Sequence, residues 1–240
     1  MEVNVRIADL GVRFFDPILG AFVEEGLQVG VHPVGFPHLH RTLTSNRVGV
    51  YHLPPKLVQT EAGHFASTTP HELTVQDTLG RYLPYSLKVN LPLQGRFDGG
   101  SGKGYLLLYP APSYPVSQGM QVYASLRTLA LEPMPWAAVK VTLGTGGKST
   151  SSIGLADQNG EVYLSVPYPA YLPLGSKSLM EQKYPVAVEV GWDAAQKASP
   201  MPELTAALGA TLSSVTVTPT SIAYGQRLVL RSSGSSFLLV

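Results

Sequence analysis

No cysteine occurs among the 240 residues, so neither a disulfide framework nor thiolate chemistry is open to this chain. Charge is scarce too: 14% of residues are Asp, Glu, Lys or Arg, against roughly 25% in ordinary soluble domains. Neither sign dominates, because 17 basic residues face 16 acidic ones. That excludes a global field drawing the chain to nucleic acid or to an anionic bilayer. No apolar run approaches the roughly 18 residues of a membrane-spanning helix. The stretch Met1-Glu2-Val3-Asn4-Val5-Arg6 has neither the basic region nor the apolar core of a secretory signal. Synthesis in the cytoplasm without a signal peptide is therefore expected, with any release occurring inside a larger particle.

What is present points to β-structure. Glycine (24) and proline (20) are both plentiful and 44% of residues are hydrophobic, a composition of short strands and many turns around a sizeable core. Low surface charge also suits a protein that faces other proteins. The clearest local signal is Ala156-Asp157-Gln158-Asn159-Gly160-Glu161-Val162-Tyr163-Leu164-Ser165-Val166-Pro167, a turn followed by strict alternation. A near copy, Thr44-Ser45-Asn46-Arg47-Val48-Gly49-Val50-Tyr51-His52-Leu53-Pro54, stands earlier. Aligning Asn159 with Asn46 places Val162, Leu164 and Val166 on Gly49, Tyr51 and Leu53, and Pro167 on Pro54, so one β unit is expected twice.

Alternation predicts strands at Val3 to Ile7, Val12 to Phe15, Leu27 to Val31, Val48 to Leu53 and Tyr85 to Leu91. After Leu106-Leu107-Leu108, the proline-spaced Tyr109 to Pro115 reads as an extended, semi-rigid exit from a first domain. Further strands are expected at Met120 to Arg127, Ala137 to Leu143, Glu161 to Val166 and Val186 to Trp192. Ser199 to Gly209, with early prolines, spaced Leu204 and Leu208 and a terminal glycine, predicts one short helix. Ser213 to Thr218, Arg227 to Arg231 and Phe237 to Val240 follow as strands, the last two joined as a hairpin through Ser232 to Ser236. The expected fold is thus all-β: two related antiparallel β-sandwich domains, a C-terminal β-hairpin and one helix. The divisions fall at 1–111, 112–198 and 199–240, with the last segment packing on or between the sandwiches.

Three segments, Met120-Gln121-Val122-Tyr123-Ala124, Trp136-Ala137-Ala138-Val139-Lys140-Val141 and Gly154 to Leu164, together resemble a carboxypeptidase regulatory-like (transthyretin-like) β-sandwich. That family shows an apolar strand and then a Thr-Asp-x-x-Gly turn into an outgoing strand. Phe15-Asp16-Pro17 through Thr44-Ser45-Asn46-Arg47 is similar but degraded, with Arg47 in the place of the turn glycine. The tandem layout, ending Arg227 to Val240, also resembles β-sandwich components of phage-tail-like contractile injection systems. That resemblance implies a role in an assembly.

Candidate sites compete with structural readings. His38-Leu39-His40 puts two imidazoles on one face of an extended segment, with His32 and His52 as neighbours. Intradiol dioxygenases share a related sandwich and hold ferric iron with tyrosines and a His-x-His pair. There the pair follows the turn, however, and here it precedes Ser45-Asn46, so a solvent-facing loop is expected and no metal. Thr145 to Thr150 and Asp98 to Gly104 look like phosphate cradles, but neither has the P-loop spacing, because Thr142 and Gly104 occupy required positions. No Gly-x-Ser-x-Gly elbow occurs.

The remaining candidates are surfaces. Pro167 to Leu174 offers Tyr168 and Tyr171 to a partner or glycan. The apolar Phe237, Leu238, Leu239 and Val240 should be paired, within the fold or with a neighbour. The sequence thus reads as a structural subunit without catalytic residues, cofactor or metal. Its expected partners are other protein subunits of a phage-tail-like particle (baseplate or tail accessory), copies of itself included, and neither nucleic acid nor a membrane span. The alternatives are a glycan- or protein-binding adhesion module and an iron-dependent intradiol-type dioxygenase.

Overall fold

The computed structural model describes residues 5–58, 67–93, 97, 102–115, 120–144, 148–169 and 183–240. Packing divides the chain into two units, Met1–Leu108 with Glu203–Thr205, and Tyr109–Pro202 with Ala206–Val240. Strands hold 48% of the structure and helices 7%, so the fold is all-β.

The first unit contains β1 (Val5–Ile7), β2 (Gly11–Asp16), β3 (Ala21–Phe22), β4 (Leu27–Pro33), β5 (Arg41–Thr42), β6 (Thr44–Ser45), β7 (Val50–His52), β8 (Lys56–Val58), β9 (Thr69–Asp77), β10 (Tyr85–Leu91) and β11 (Leu106–Leu107). One sheet has the order β10-β9-β4-β5 and another β11-β2-β7-β6, with β3 on β2, while β1 and β8 pair separately. Period-2 alternation decides which side is buried: Tyr85, Leu87, Val89 and Leu91 of β10 are buried while Lys88 and Asn90 between them are exposed.

The second unit contains β12 (Met120–Arg127), β13 (Ala138–Leu143), β14 (Thr150–Leu155), β15 (Glu161–Val166), β16 (Lys183–Gly191), a helix α1 (Leu204–Gly209), β17 (Ser213–Val215), β18 (Ser221–Ala223), β19 (Leu228–Leu230) and β20 (Leu238–Leu239). Its sheets run β15-β12-β19, with β20 also on β12, and β14-β13-β16-β17, with β18 on β16. Val122, Leu126, Val139, Val141, Leu164, Val190, Leu228 and Leu238 from both sheets share one core.

The two units repeat one topology. The order β10-β9-β4-β5 becomes β17-β16-β13-β14, and β2-β7 becomes β12-β15. Even the returning parallel strand recurs. Leu106 and Leu107 pair with Phe14 and Phe15, and Leu238 and Leu239 pair with Leu126 and Arg127. Leu108 N–H donates to Phe15 O at 3.0 Å, as Val240 N–H does to Arg127 O at 3.0 Å.

The repeated turn is also built alike, but two residues away from the alignment on Asn159. Asn46 Oδ1 accepts from Val48 N and Val50 N at 3.0 and 2.9 Å, and Asp157 Oδ1 accepts from Asn159 N and Glu161 N at 2.8 and 2.9 Å. Gly49 and Gly160 follow at φ +69° and +76°. Asn46 therefore matches Asp157, and the turn glycine of the first copy is Gly49, not Arg47. A slip of two keeps every side chain on its own face, so alternation alone cannot detect it.

Other expectations change as well. The last two strands make no hairpin with each other: β19 and β20 both lie parallel to β12, at Val122 to Ala124 and at Leu126 to Arg127. The Ser232–Phe237 segment between them loops out, closed by Ser232 N–H to Phe237 O at 2.9 Å. Tyr109 to Pro115 is not a bare spacer, since Tyr109, Ala111 and Tyr114 are buried. Tyr114 stacks on Tyr163 with centroids 6.0 Å apart. Two long strands, β9 and β14, escaped the sequence reading, as did the short β3, β5, β6, β8 and β18. β9 carries its apolar signal only at Leu73 and Val75, and β14 is a Ser/Thr-rich edge.

Candidate functional site

Three turns of one design gather at one end of the first unit. Each opens on an Asp or Asn whose side chain accepts from the backbone ahead, and each closes on a glycine at positive φ. Asp16 Oδ1 accepts from Ile18 N and Leu19 N at 2.7 and 3.1 Å, and Gly20 has φ +67°. Asn46 and Gly49 make the second turn. Asp77 Oδ2 accepts from Arg81 N at 2.5 Å, around Gly80 at φ +67°. In every turn the residue just before the glycine is apolar and in solvent: Leu19 is 67% exposed, Val48 59% and Leu79 68%.

The segment Glu24–Gly26 ties these turns together. Glu24 O accepts from Ser45 Oγ at 2.9 Å and from Tyr51 Oη at 3.4 Å. Glu25 O accepts from Arg81 Nη2 at 3.3 Å, and Gly26 O from Thr78 N at 2.8 Å. Tyr82 Oη donates to Asp16 Oδ2 at 2.6 Å. The result is an open hollow of about 680 Å³ lined by Leu19, Phe22, Glu24, Arg47 and Arg81 among others. Loop clusters at one end of a rigid sandwich are a common way to build a recognition surface.

The titratable groups here serve the turns. Burial alone would raise the Asp77 carboxyl, but the hydrogen bonds and charge of Arg81 outweigh it and hold the group below the usual carboxylate range. A carboxylate lowered in the folded state contributes stability above its unfolded value, near 3.8, and that contribution is lost as pH falls through the folded value. Asp77→Asn is expected to flatten the acid limb of the melting-temperature profile below that pH, read by differential scanning fluorimetry. An unchanged limb would show that Asp77 gains nothing from Arg81.

In the second unit, Leu131 occupies the place of Gly20, immediately before the pairing back to β12, and holds φ +64°. Leu131 N–H donates to Thr128 O at 2.8 Å and Thr128 N–H to Glu132 O at 2.9 Å, which presents Leu129, 81% exposed, at the tip. A branched side chain in the left-handed region costs about 1–2 kcal/mol.

The residues singled out from sequence are dispersed. Tyr168 packs against Tyr184 and Tyr224, at 5.5 and 4.4 Å between centroids, and its Oη accepts from Gly225 N at 2.7 Å, so its ring serves the fold. Tyr171 lies outside the described residues. Leu238 is fully buried beside β12, Phe237 and Leu239 are partly buried, and Val240 is at the surface. His38 sits in a single 3-10 turn, Pro37–Leu39. His40 and His32 have ring centroids 6.4 Å apart, and His32 Nε2 is 3.8 Å from Glu72 Oε2. Among the described residues, no three His, Asp or Glu side chains are placed to hold one metal ion. Thr145–Gly147 and Asp98–Ser101 lie outside the described residues, and a strand rather than a helix starts at Thr150. No described helix is long and apolar enough to cross a membrane.

Of the three turns at the loop end, the one at Asn46 was read from the sequence as a turn; Asp77 to Gly80 was missed, although an Asp three residues before a glycine is its signal. Their meeting at one end had no signal in the sequence.

By fold the chain is an all-β, sandwich-like protein whose packing forms two units. No family model and no curated protein matches it. Among solved structures, two crystal structures of the C-terminal fragment of the pilus adhesin SpaC from Lactobacillus rhamnosus GG, one iodide-soaked, are weakly similar. Their TM-scores are 0.22 and 0.21 at 9% and 10% identity, over 92% of this chain and 94% and 95% of theirs. A likeness this weak carries no conclusion about partners or activity.

Proposed function

We propose that this chain is a non-catalytic structural subunit of a multi-protein assembly, docking on a protein partner through the loop end of its first unit. The observation that carries this reading is the set Leu19, Val48 and Leu79. Three separate turns each spend an Asx side chain and a left-handed glycine to hold an apolar residue in solvent. Scattered exposed apolar residues are ordinary, but a cluster beside a hollow rimmed by Glu24, Glu25, Arg47 and Arg81 suits the apolar centre and polar rim of a protein interface. The absence of a catalytic role is supported by the use made of the local acids: Asp16 and Asp77 are taken up by backbone, Tyr82 and Arg81. The assembly is proposed to be a phage-tail-like contractile injection particle, on the strength of the tandem sandwich layout that ends at Arg227 to Val240. A baseplate or tail accessory position would suit it.

The test is co-expression with the products of neighbouring genes, followed by purification. Stoichiometric recovery with sheath or baseplate subunits is expected for the native chain. The variant combining Leu19→Ser, Val48→Ser and Leu79→Ser should fold normally, since exposed substitutions cost within about 0.5 kcal/mol each. Its recovery should drop at least about tenfold, because apolar anchors at an interface are worth more than 1 kcal/mol apiece when truncated. Undiminished recovery of a folded triple variant would overturn the assignment of this surface.

A further inference from the structure

A second hollow, of about 810 Å³, opens at the far end of β4 and β9 from the turns described above, roughly 20 Å along the strands. Val31, Leu53 and Leu91 lie buried beneath it, and the apolar surface it exposes is that of Leu39, Pro33 and Pro92. Around it stand His38, His40, His71, Arg41 and Lys56. Among the described residues one acid joins them, Asp9, and its Oδ2 is already 2.5 Å from Lys56 Nζ. Among the described residues the rim therefore carries three imidazoles and one guanidinium, and its carboxylate is paired with Lys56.

Two features show side chains placed here by the fold. His71 Nδ1 lies 2.9 Å from Thr69 O. Thr69 Oγ1 stands 3.4 Å from the same nitrogen, so Thr69 holds the ring by its Nδ1 edge. The His40 ring reaches over β4 with its Nε2 edge foremost, where residue 30 has no side chain: a Cβ on Gly30 would stand 1.8 Å from His40 Nε2. Glycine inside a strand is unfavourable and marks a close approach, and here the approaching group is the imidazole. Since no three described ligands converge on a metal, the donors suit an anion better than a cation. A guanidinium and adjacent imidazole N–H groups match the oxygens of a phosphate or carboxylate, and a hollow of this size suits a small organic molecule.

We propose that this hollow binds an oxyanion carried on an apolar body, an aryl or alkyl phosphate or carboxylate by chemical class. The apolar part lies against Leu39, Pro33 and Pro92, and the oxyanion meets Arg41, His38 and His40. This site is independent of the loop end and of any assembly role.

The experiment titrates the full chain with phenyl phosphate, inorganic phosphate and phenol, following imidazole resonances by NMR and heat by calorimetry. Saturable shifts of His38 and His40 are expected with phenyl phosphate, at an affinity at least about tenfold above either fragment, because each fragment forgoes one half of the site. Arg41→Ser, at an exposed position, should weaken binding about tenfold or more. Gly30→Ala should weaken it while leaving Arg41 in place, which assigns Gly30 as the positioning residue for His40. Three results would each overturn the proposal: no saturable shift at millimolar phenyl phosphate, equal affinity for inorganic phosphate, or full binding by folded Arg41→Ser.

Discussion

Gly160→Ala is expected to destabilise the second unit by about 3 kcal/mol, a fall in melting temperature on the order of 10 °C. Two causes add. Gly160 sits at φ +76°, where an alanine pays for the left-handed conformation, and its new Cβ would lie 2.6 Å from Leu126 O and 3.0 Å from Met134 N. Both neighbours are backbone held in β-pairing, so neither gives way cheaply. Gly234, at φ +75° with nothing within 4 Å of its Cβ position, is the control. Gly234→Ala should cost only the conformational part, about 1 kcal/mol. Gly49→Ala, with its nearest atoms at 3.2 Å, should fall between. Urea unfolding of the three variants measures the order, and equal losses at Gly160 and Gly234 would show that the backbone contacts carry no cost.

Removal of Phe237 to Val240 should do as much damage to the same unit. Leu238 is fully buried against Leu126, and losing a core leucine costs about 2–5 kcal/mol. The deletion also strips Val240 N–H from Arg127 O, Leu239 N–H from Ser232 Oγ, and the Phe237 ring from the Arg127 guanidinium, 5.3 Å away. An exposed β12 edge would then invite association. Calorimetry should show a large downward shift with increased aggregation, reproduced in size by Leu238→Ala alone. A truncated chain melting like the native one would mean that β20 adds nothing to this sandwich.

Several features were readable from the residues themselves. Tyr85 to Leu91, Met120 to Arg127 and Glu161 to Val166 alternate over enough positions that one face must be buried, and the structure buries it. Asp157-Gln158-Asn159-Gly160 names its own turn, because an Asp followed three residues later by glycine can satisfy the turn's N–H groups locally. β9 was hidden for the opposite reason. Thr69 to Asp77 lies between β4 and β10, yet its outer face carries Pro70, Glu72, Thr74 and Gln76 and its inner face ends in His71 and Asp77, so burial on one side leaves only Leu73 and Val75 as signal. β14 was hidden because an edge strand needs little apolar content. Of the loop end, the sequence reading marked the turn at Asn46 but neither Asp77–Gly80 nor the exposed tips, and nothing in the sequence joins Asn46 to Glu24 or Arg81 to Glu25.

The chain's own residues therefore determined the β class, the duplication and the local chemistry of each turn, since these depend on period-2 burial and on hydrogen bonds spanning two to four residues. Tertiary structure alone decided the rest: the two-residue correction that sets Asn46 on Asp157, the parallel return of β11 and β20, and the convergence of Leu19, Val48 and Leu79. Strand pairing is written in the partner strand, and a shift of two leaves every face unchanged. Register and convergence are thus settled only when distant backbone groups find one another and the core closes around Leu126 and Leu238.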